Sequence, residues 1–209
     1  MKISLNGLEL SRQAEGNLAV GQVLSEVQQE VRTTGRVVTH IVMDGVTLPE
    51  GWQRRQRLSR PVSSVNHLEL TVEEPAQLRQ QTLVYASQLI GQLVRQTKPL
   101  GTKFRVGDEV TANNELASFL DDLKLVLAGL DHSTRDFTDL ASAVPVRNRV
   151  VASANLLLPS LDRLYKAQAG GDYIAVADEL EYDLRDQIAS WPELVLEVRQ
   201  VSQQMPQAQ

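Results

Sequence analysis

Apolar residues recur with a period of two near the start of the chain and at spacings of three and four over most of the rest. Met1, Ile3 and Leu5 alternate with polar neighbours and predict a strand. Asn6-Gly7 follows and predicts a type I′ hairpin turn, in which both central residues need positive φ. Leu8–Leu10 is then the returning strand. From Asn17 the period lengthens. Leu18, Val20, Val23, Leu24, Val27 and Val31 mark a helix, capped by Asn17 and closed by Gly35. Its β-branched residues lower its own propensity, so it needs a sheet to hold it. Arg36–Met43 predicts a strand rich in Val and Ile, Asp44-Gly45 a second turn, and Val65–Val72 a further strand. In that last strand Leu68, Leu70 and Val72 alternate with His67, Glu69 and Thr71.

The order strand, strand, helix, strand, turn, strand has a compact solution. The helix crosses one face of a mixed sheet, and the first and last strands lie side by side and parallel. This order, with Asn6-Gly7 and Asp44-Gly45 at its turns, resembles the ubiquitin-like β-grasp superfamily over residues 1–74. The resemblance implies a scaffold. Sulfur-carrier and ubiquitin-type members end in a free Gly-Gly tail, whereas here the last strand continues through Glu73-Glu74-Pro75. Carrier chemistry is therefore not expected.

Residues 75–209 read as an antiparallel α-helical bundle, which makes the fold class α+β with an N-terminal β-grasp domain (ββαββ). Pro75 opens a helix with Leu83, Ala86, Leu89, Ile90, Leu93 and Val94 on its apolar face, expected to stop at Lys98-Pro99-Leu100-Gly101. Phe104 and Val106 are expected in the connection. A second helix starts at Asp108 and ends at Gly129, with Val110, Ala117, Leu120, Leu123 and Leu127 inward. Asp131–Arg135 reads as a turn, and Phe137, Leu140 and Val144 as a short helix interrupted by Pro145. Val150, Val151, Ala154, Leu157, Leu158, Leu161 and Leu164 then form a long apolar run, with a kink or break expected at Pro159. In general pattern this half is similar to small bacterial helical chaperones such as those of flagellin export.

Asp172–Trp191 has the sharpest pattern. Tyr173, Ala177, Leu180, Leu184, Ile188 and Trp191 form one helical stripe. The remaining surface carries Asp172, Asp178, Glu179, Glu181, Asp183 and Asp186 against a single cation, Arg185. That imbalance equals the net charge of −5 of all 209 residues. These carboxylates are expected to face solvent, with Glu181 pairing with Arg185 one turn on. Glu179, Asp183 and Asp186 share a face that could offer oxygen ligands to a hard cation only if other segments converged on it. Tyr182 lies off the stripe, at a bundle edge or against a partner.

The dense basic patch Trp52-Gln-Arg-Arg-Gln-Arg-Leu-Ser-Arg60 is either a solvated loop or a contact surface. Its Trp52, Arg54, Arg55 and Arg57 are the residues to place at an interface, as are Asp178, Glu181, Tyr182 and Arg185 on the acidic stretch. The chain has no cysteine, which excludes disulfides, thiolate metal sites and a cysteine nucleophile. His40, His67 and His132 fall in no triad or metal pattern, and the glycines form no phosphate loop. Mild acidity argues against nucleic-acid binding.

The N-terminus lacks a long apolar run, so neither a signal peptide nor a membrane anchor is expected, and the location is read as cytoplasmic. The reading is a non-catalytic interaction or adaptor protein, with no cofactor and no bound metal, and with a protein partner of unknown identity. A homodimer is expected through Trp191, Leu194, Leu196 and Val201. Alternatives are a secretion chaperone for a helical client, or a metal-dependent protein using the acidic face.

Overall fold

The computed structural model describes residues 1–10, 18–48, 59–135, 137 and 141–204. The chain divides into two compact units at Leu78/Arg79. The first is a small mixed sheet with one helix, and the second is largely helical.

In the first unit, β1 (Lys2–Leu5), β2 (Leu8–Glu9), α1 (Val20–Thr33), β3 (Val37–Met43), β4 (Val46–Thr47) and β5 (His67–Glu73) follow in order, with a 3₁₀ turn at Val62–Ser64. The sheet runs β2-β1-β5-β3-β4. β1 and β5 pair in parallel, with Ile3 opposite Leu68 and Leu5 opposite Leu70, and the other pairings are antiparallel. The expected parallel contact of first and last strands is thus present. Leu68, Leu70 and Val72 are buried with Ile3, Ile41 and Met43 against Val20, Val23, Leu24, Val27 and Val31 of α1. The helix starts after Ala19, whose N–H donates to Gln22 Oε1, and it closes at Gly35 with φ 71°. Asn17 lies outside the described residues.

Both Xaa-Gly turns have positive φ at both positions: 50° and 81° at Asn6 and Gly7, and 49° and 79° at Asp44 and Gly45. The polar residue of each turn also binds β5. Asn6 donates from Nδ2 to the Val72 carbonyl (2.9 Å) and accepts the Val72 N–H on Oδ1 (2.7 Å). Asp44 Oδ1 accepts the N–H groups of Asn66 (3.0 Å) and His67 (2.9 Å). One turn therefore holds the end of the central strand and the other holds its beginning. His67 is half-buried, with Nε2 3.1 Å from Ser4 Oγ and Nδ1 3.1 Å from Glu69.

The second unit contains most of α2 (Pro75–Arg105), then α3 (Glu109–Thr134), α4 (Ala143–Ala169), α5 (Tyr173–Asp178), a π-helical turn (Glu179–Leu184), α6 (Arg185–Ala189) and α7 (Trp191–Gln204). Several expected breaks are absent. α2 continues through Pro99 because burial of Leu100 and Phe104 offsets the lost bond. A mid-helix proline costs about 3 kcal/mol, and two buried side chains of this size return roughly 3–6 kcal/mol. Phe104 is therefore a core residue and not part of a connection.

α3 passes Gly129 and absorbs the expected turn at Asp131–Arg135, with Leu130, Ser133 and Thr134 buried. Its inner face is Ala112, Leu116, Phe119, Leu123, Val126 and Leu130. Of the residues expected inward, Leu123 is buried and Leu120 and Leu127 are half-buried against the core, whereas Val110 and Ala117 are exposed. Pro145 sits in the first turn of α4, where its missing N–H is not needed, and α4 continues through Pro159. Leu140 lies outside the described residues.

The turn residues carry a direct test. Asn6→Ala removes two hydrogen bonds and forces a Cβ residue without a local polar partner into the left-handed region. It should cost about 2–4 kcal/mol in denaturant unfolding of the first unit. Asn6→Gly keeps the turn conformation and should cost only the hydrogen bonds, about 1–2 kcal/mol.

Candidate functional site

The acidic stretch begins where Gly171, at φ 70°, ends the preceding helix. Asp172 then caps α5, its Oδ1 accepting the Ala175 N–H at 3.0 Å. Ala177, Leu180, Leu184, Ile188 and Trp191 are buried, as their spacing predicts. The carboxylates behave differently. Glu179 and Glu181 flank Leu180 and project from it in opposite directions around the helix. Each meets an arginine from another helix.

On one flank Glu179 is the buried charged residue among those described, with its side chain 7% exposed. Arg163 of α4 grips it with two bonds of 2.8 Å, from Nε to Oε2 and from Nη2 to Oε1. The same Nη2 lies 3.4 Å from Asp183 and donates to Ser160 Oγ at 3.1 Å. Ser160 is fully buried and also accepts Gln187 Nε2 at 2.9 Å. Hydrogen bonding to Glu179, helped by its charge and by Asp183, raises the Arg163 pKa against the opposing effect of burial.

On the other flank Arg105, in the last turn of α2, lies 2.6 Å from Asp178 and 3.2 Å from Glu181. Hydrogen bonds to Asp178 first and Glu181 second raise its pKa. Glu181 lies against Gly101: a Cβ there would fall 2.6 Å from Oε1 and 2.8 Å from Cγ. The glycine expected to stop the helix is thus the seat of a carboxylate. Nearby, Tyr173 stacks on Phe104 with ring centroids 5.7 Å apart. The Glu109 carboxylate opposes a second negative charge there and accepts the hydroxyl, which raises the Tyr173 pKa.

The π turn is therefore clamped from both sides, and four of its neighbouring carboxylates are engaged by two guanidinium groups. Glu179 and Glu181 do not face solvent as expected, and Glu181 takes Arg105 as partner in place of the expected Arg185. Glu179 and Asp183 converge on Arg163, which supplies positive charge where a cation would have to sit. Asp186, Tyr182 and Arg185 are exposed. Among the described residues there is no group of three or more His, Asp or Glu placed to hold a metal. Trp52, Arg54, Arg55 and Arg57 lie outside the described residues.

No sequence pattern singles out Arg105 or Arg163. The surplus of carboxylates requires counter-charges, but nothing local indicates which arginines supply them.

Among the described residues, each unit leaves an apolar surface open. In the first unit a groove of about 440 Å³ lies between the β1–β2 hairpin and α1, lined by Leu5, Leu8, Leu10, Val27, Val31 and Val72 among others. In the second unit α4 exposes Val144 (41%), Val151 (48%), Leu158 (60%) and Tyr165 (69%), at intervals of seven residues. The face of α7 expected to dimerise is largely used internally: Trp191, Leu194 and Val201 are buried, and Leu196 is exposed.

A family model described as the TP0873 N-terminal domain matches residues 1–74, ending where Pro75 opens α2. No match is found among curated proteins, and none among solved structures.

Gly101→Ala should destabilise the chain by about 1–3 kcal/mol in denaturant unfolding, as overpacking does. In a Glu181→Ala background the sign should reverse, because alanine is the better helix former by about 0.5–1 kcal/mol. The second clamp predicts that Arg163→Met is strongly destabilising, since it leaves Glu179 buried and unpaired. The double variant Arg163→Met/Glu179→Leu should recover most of the lost unfolding midpoint.

Proposed function

We propose that the chain is a non-catalytic protein–protein interaction protein of the cytoplasm, made of a ubiquitin-like β-grasp module followed by an antiparallel helical bundle. The sheet order β2-β1-β5-β3-β4, with its parallel central pair and one packed helix, supports the β-grasp reading of the first unit. No helix among the described residues is long and apolar enough to cross a membrane.

The observation that carries the functional reading is the side chains left in solvent. Tyr165, Tyr182, Leu156 and Leu158 are each at least 60% exposed. Large aromatic and aliphatic groups of this kind anchor interfaces once a partner removes them from water. The carboxylates that would be needed for acid–base or metal chemistry on the acidic stretch are instead bound to Arg105 and Arg163. Asp178 and Glu181 thus serve the fold, and Tyr182 and Arg185 are the members of that stretch available to a partner. A chaperone for a helical client is the second reading, favoured by the open apolar stripe of α4, along which a client helix could lie.

Photo-crosslinking side chains placed at Tyr182 and at Tyr165 of the full chain should give discrete protein adducts in cell extract. The same group at exposed Lys124 of α3 should give few. Absence of adducts at both tyrosines overturns the reading.

A further inference from the structure

The exposed stripe of α4 has more order than scattered surface residues do. Val144, Val151, Leu158 and Tyr165 recur every seven residues. Between them, Arg147, Ala154 and Leu161 are half-buried, Leu161 at the edge of the unit's own core, and fall three residues after each of the first three. Together they form the a and d positions of a heptad seam running for three heptads, about 32 Å of helix. The neighbouring heptad positions Val150, Leu157 and Leu164 are buried in the unit's own core, so the seam is a second face of the same helix.

We propose that this seam is a homodimer contact, in which α4 packs antiparallel against α4 of a second copy. The proposal rests on the reading of the chain as an interaction protein and names the partner of one surface. Its occupant is argued from self-complementarity. When the stripe is laid against its own reverse, a layers face d layers. Ala154 meets Leu158 of the second copy, small against large, and Val151 meets Leu161. Arg147 comes over the ring of Tyr165, a cation against an aromatic face. At the flank, Asn155 meets Asn155 at the two-fold axis and Asn148 meets Asp162.

A two-fold contact requires this reciprocity, since each residue must suit its counterpart in both directions. Pro159 adds a further polar feature at the centre. It has no N–H, so the Asn155 carbonyl lacks its helical donor and is available to the amide of the second Asn155.

The size of the contact sets its strength. A strip about 32 Å long and about 10–12 Å wide covers roughly 350 Å² per copy. A standard stable interface uses about 800 Å² per partner. The dimer is therefore a reversible one that depends on concentration.

Sedimentation equilibrium of the full chain should show a mass rising from 23.2 kDa toward twice that value with concentration. Leu158→Glu should raise the dimer dissociation constant by about tenfold or more, with circular dichroism and melting of the dilute protein unchanged. The chain has no cysteine, so single introduced thiols report geometry cleanly. Asn155→Cys should form a disulfide dimer under mild oxidation and Val144→Cys should not, because antiparallel packing separates the two copies of residue 144.

Crosslinking of both variants would mean parallel packing and overturns the proposal, as does crosslinking of neither. A wild-type chain that stays monomeric while keeping its Tyr182 adducts overturns the self-pairing and leaves the interaction reading standing. Loss of a foreign helical partner from Leu158→Glu, with no self-association in wild type, assigns the seam to a client instead.

Discussion

A carboxylate taken out of water must find positive charge, and the helical unit is arranged around that requirement at Glu179. Its side chain is 7% exposed, whereas its partner Arg163 keeps half of its surface in solvent. The acid is far more desolvated than the arginine, so the cost falls mainly on one ion, and a two-point guanidinium grip is the geometry best suited to offset it. On the opposite flank Glu181 occupies space left by the missing side chain of Gly101, with Arg105 at its edge. The two grips come from α2 and α4 and fix how the π turn is rotated. The apolar stripe supplies the larger energy: Leu180, Leu184, Ile188 and Trp191 are buried, each worth about 1.5–3 kcal/mol. The ion pairs add orientation, because a slip in rotation would strand a carboxylate in the core.

Local chemistry is the legible part of this chain. A turn that needs positive φ at two successive positions admits few residue pairs, so Asn6-Gly7 and Asp44-Gly45 place both turns from their residue types alone. The alternation in β5 is equally plain, since one face packs and the other is wet. Tertiary burial that overrides a local stop signal leaves no such mark. Pro99, Gly101 and Gly129 all mark ends in isolation, and all three lie inside helices because the residues beyond them pack. The inner face of α3 is centred differently from the expected one, with Val110 and Ala117 exposed. Leu116, Phe119 and Leu123 are buried while Leu120 and Leu127 pack half-buried at the edge of the same core, so a broad apolar face leaves its centre undetermined by spacing alone. The arginine clamps are invisible in the sequence because an ion pair between residues 16 or 76 positions apart leaves no periodic trace.

Helix α4 shows the same ambiguity in its most informative form. Its apolar run is two heptad series one residue apart, Val150, Leu157 and Leu164 in one and Val151, Leu158 and Tyr165 in the other. A helix turns about 100° per residue, so the two series cannot point the same way. Periodicity alone merges them into one broad face. The structure separates them into a face that packs within the unit and a face that does not.

That separation bears on what the exposed series means. Val84, Tyr85 and Leu125 are also exposed, and isolated apolar residues of that kind need no explanation. Four apolar residues held at seven-residue intervals are different. A seven-residue interval is slightly shorter than two full α-helical turns, and it stays in register only with a second helix that follows the same seam. Ser160 and Arg163 of α4 are drawn to the flank that grips Gln187 and Glu179, while Asn148, Asn155 and Asp162 border the exposed series. The helix thus commits part of its polar chemistry to internal orientation and presents aliphatic and aromatic groups outward. An apolar series kept in heptad register beside those exposed polar groups has the pattern of a helix–helix contact.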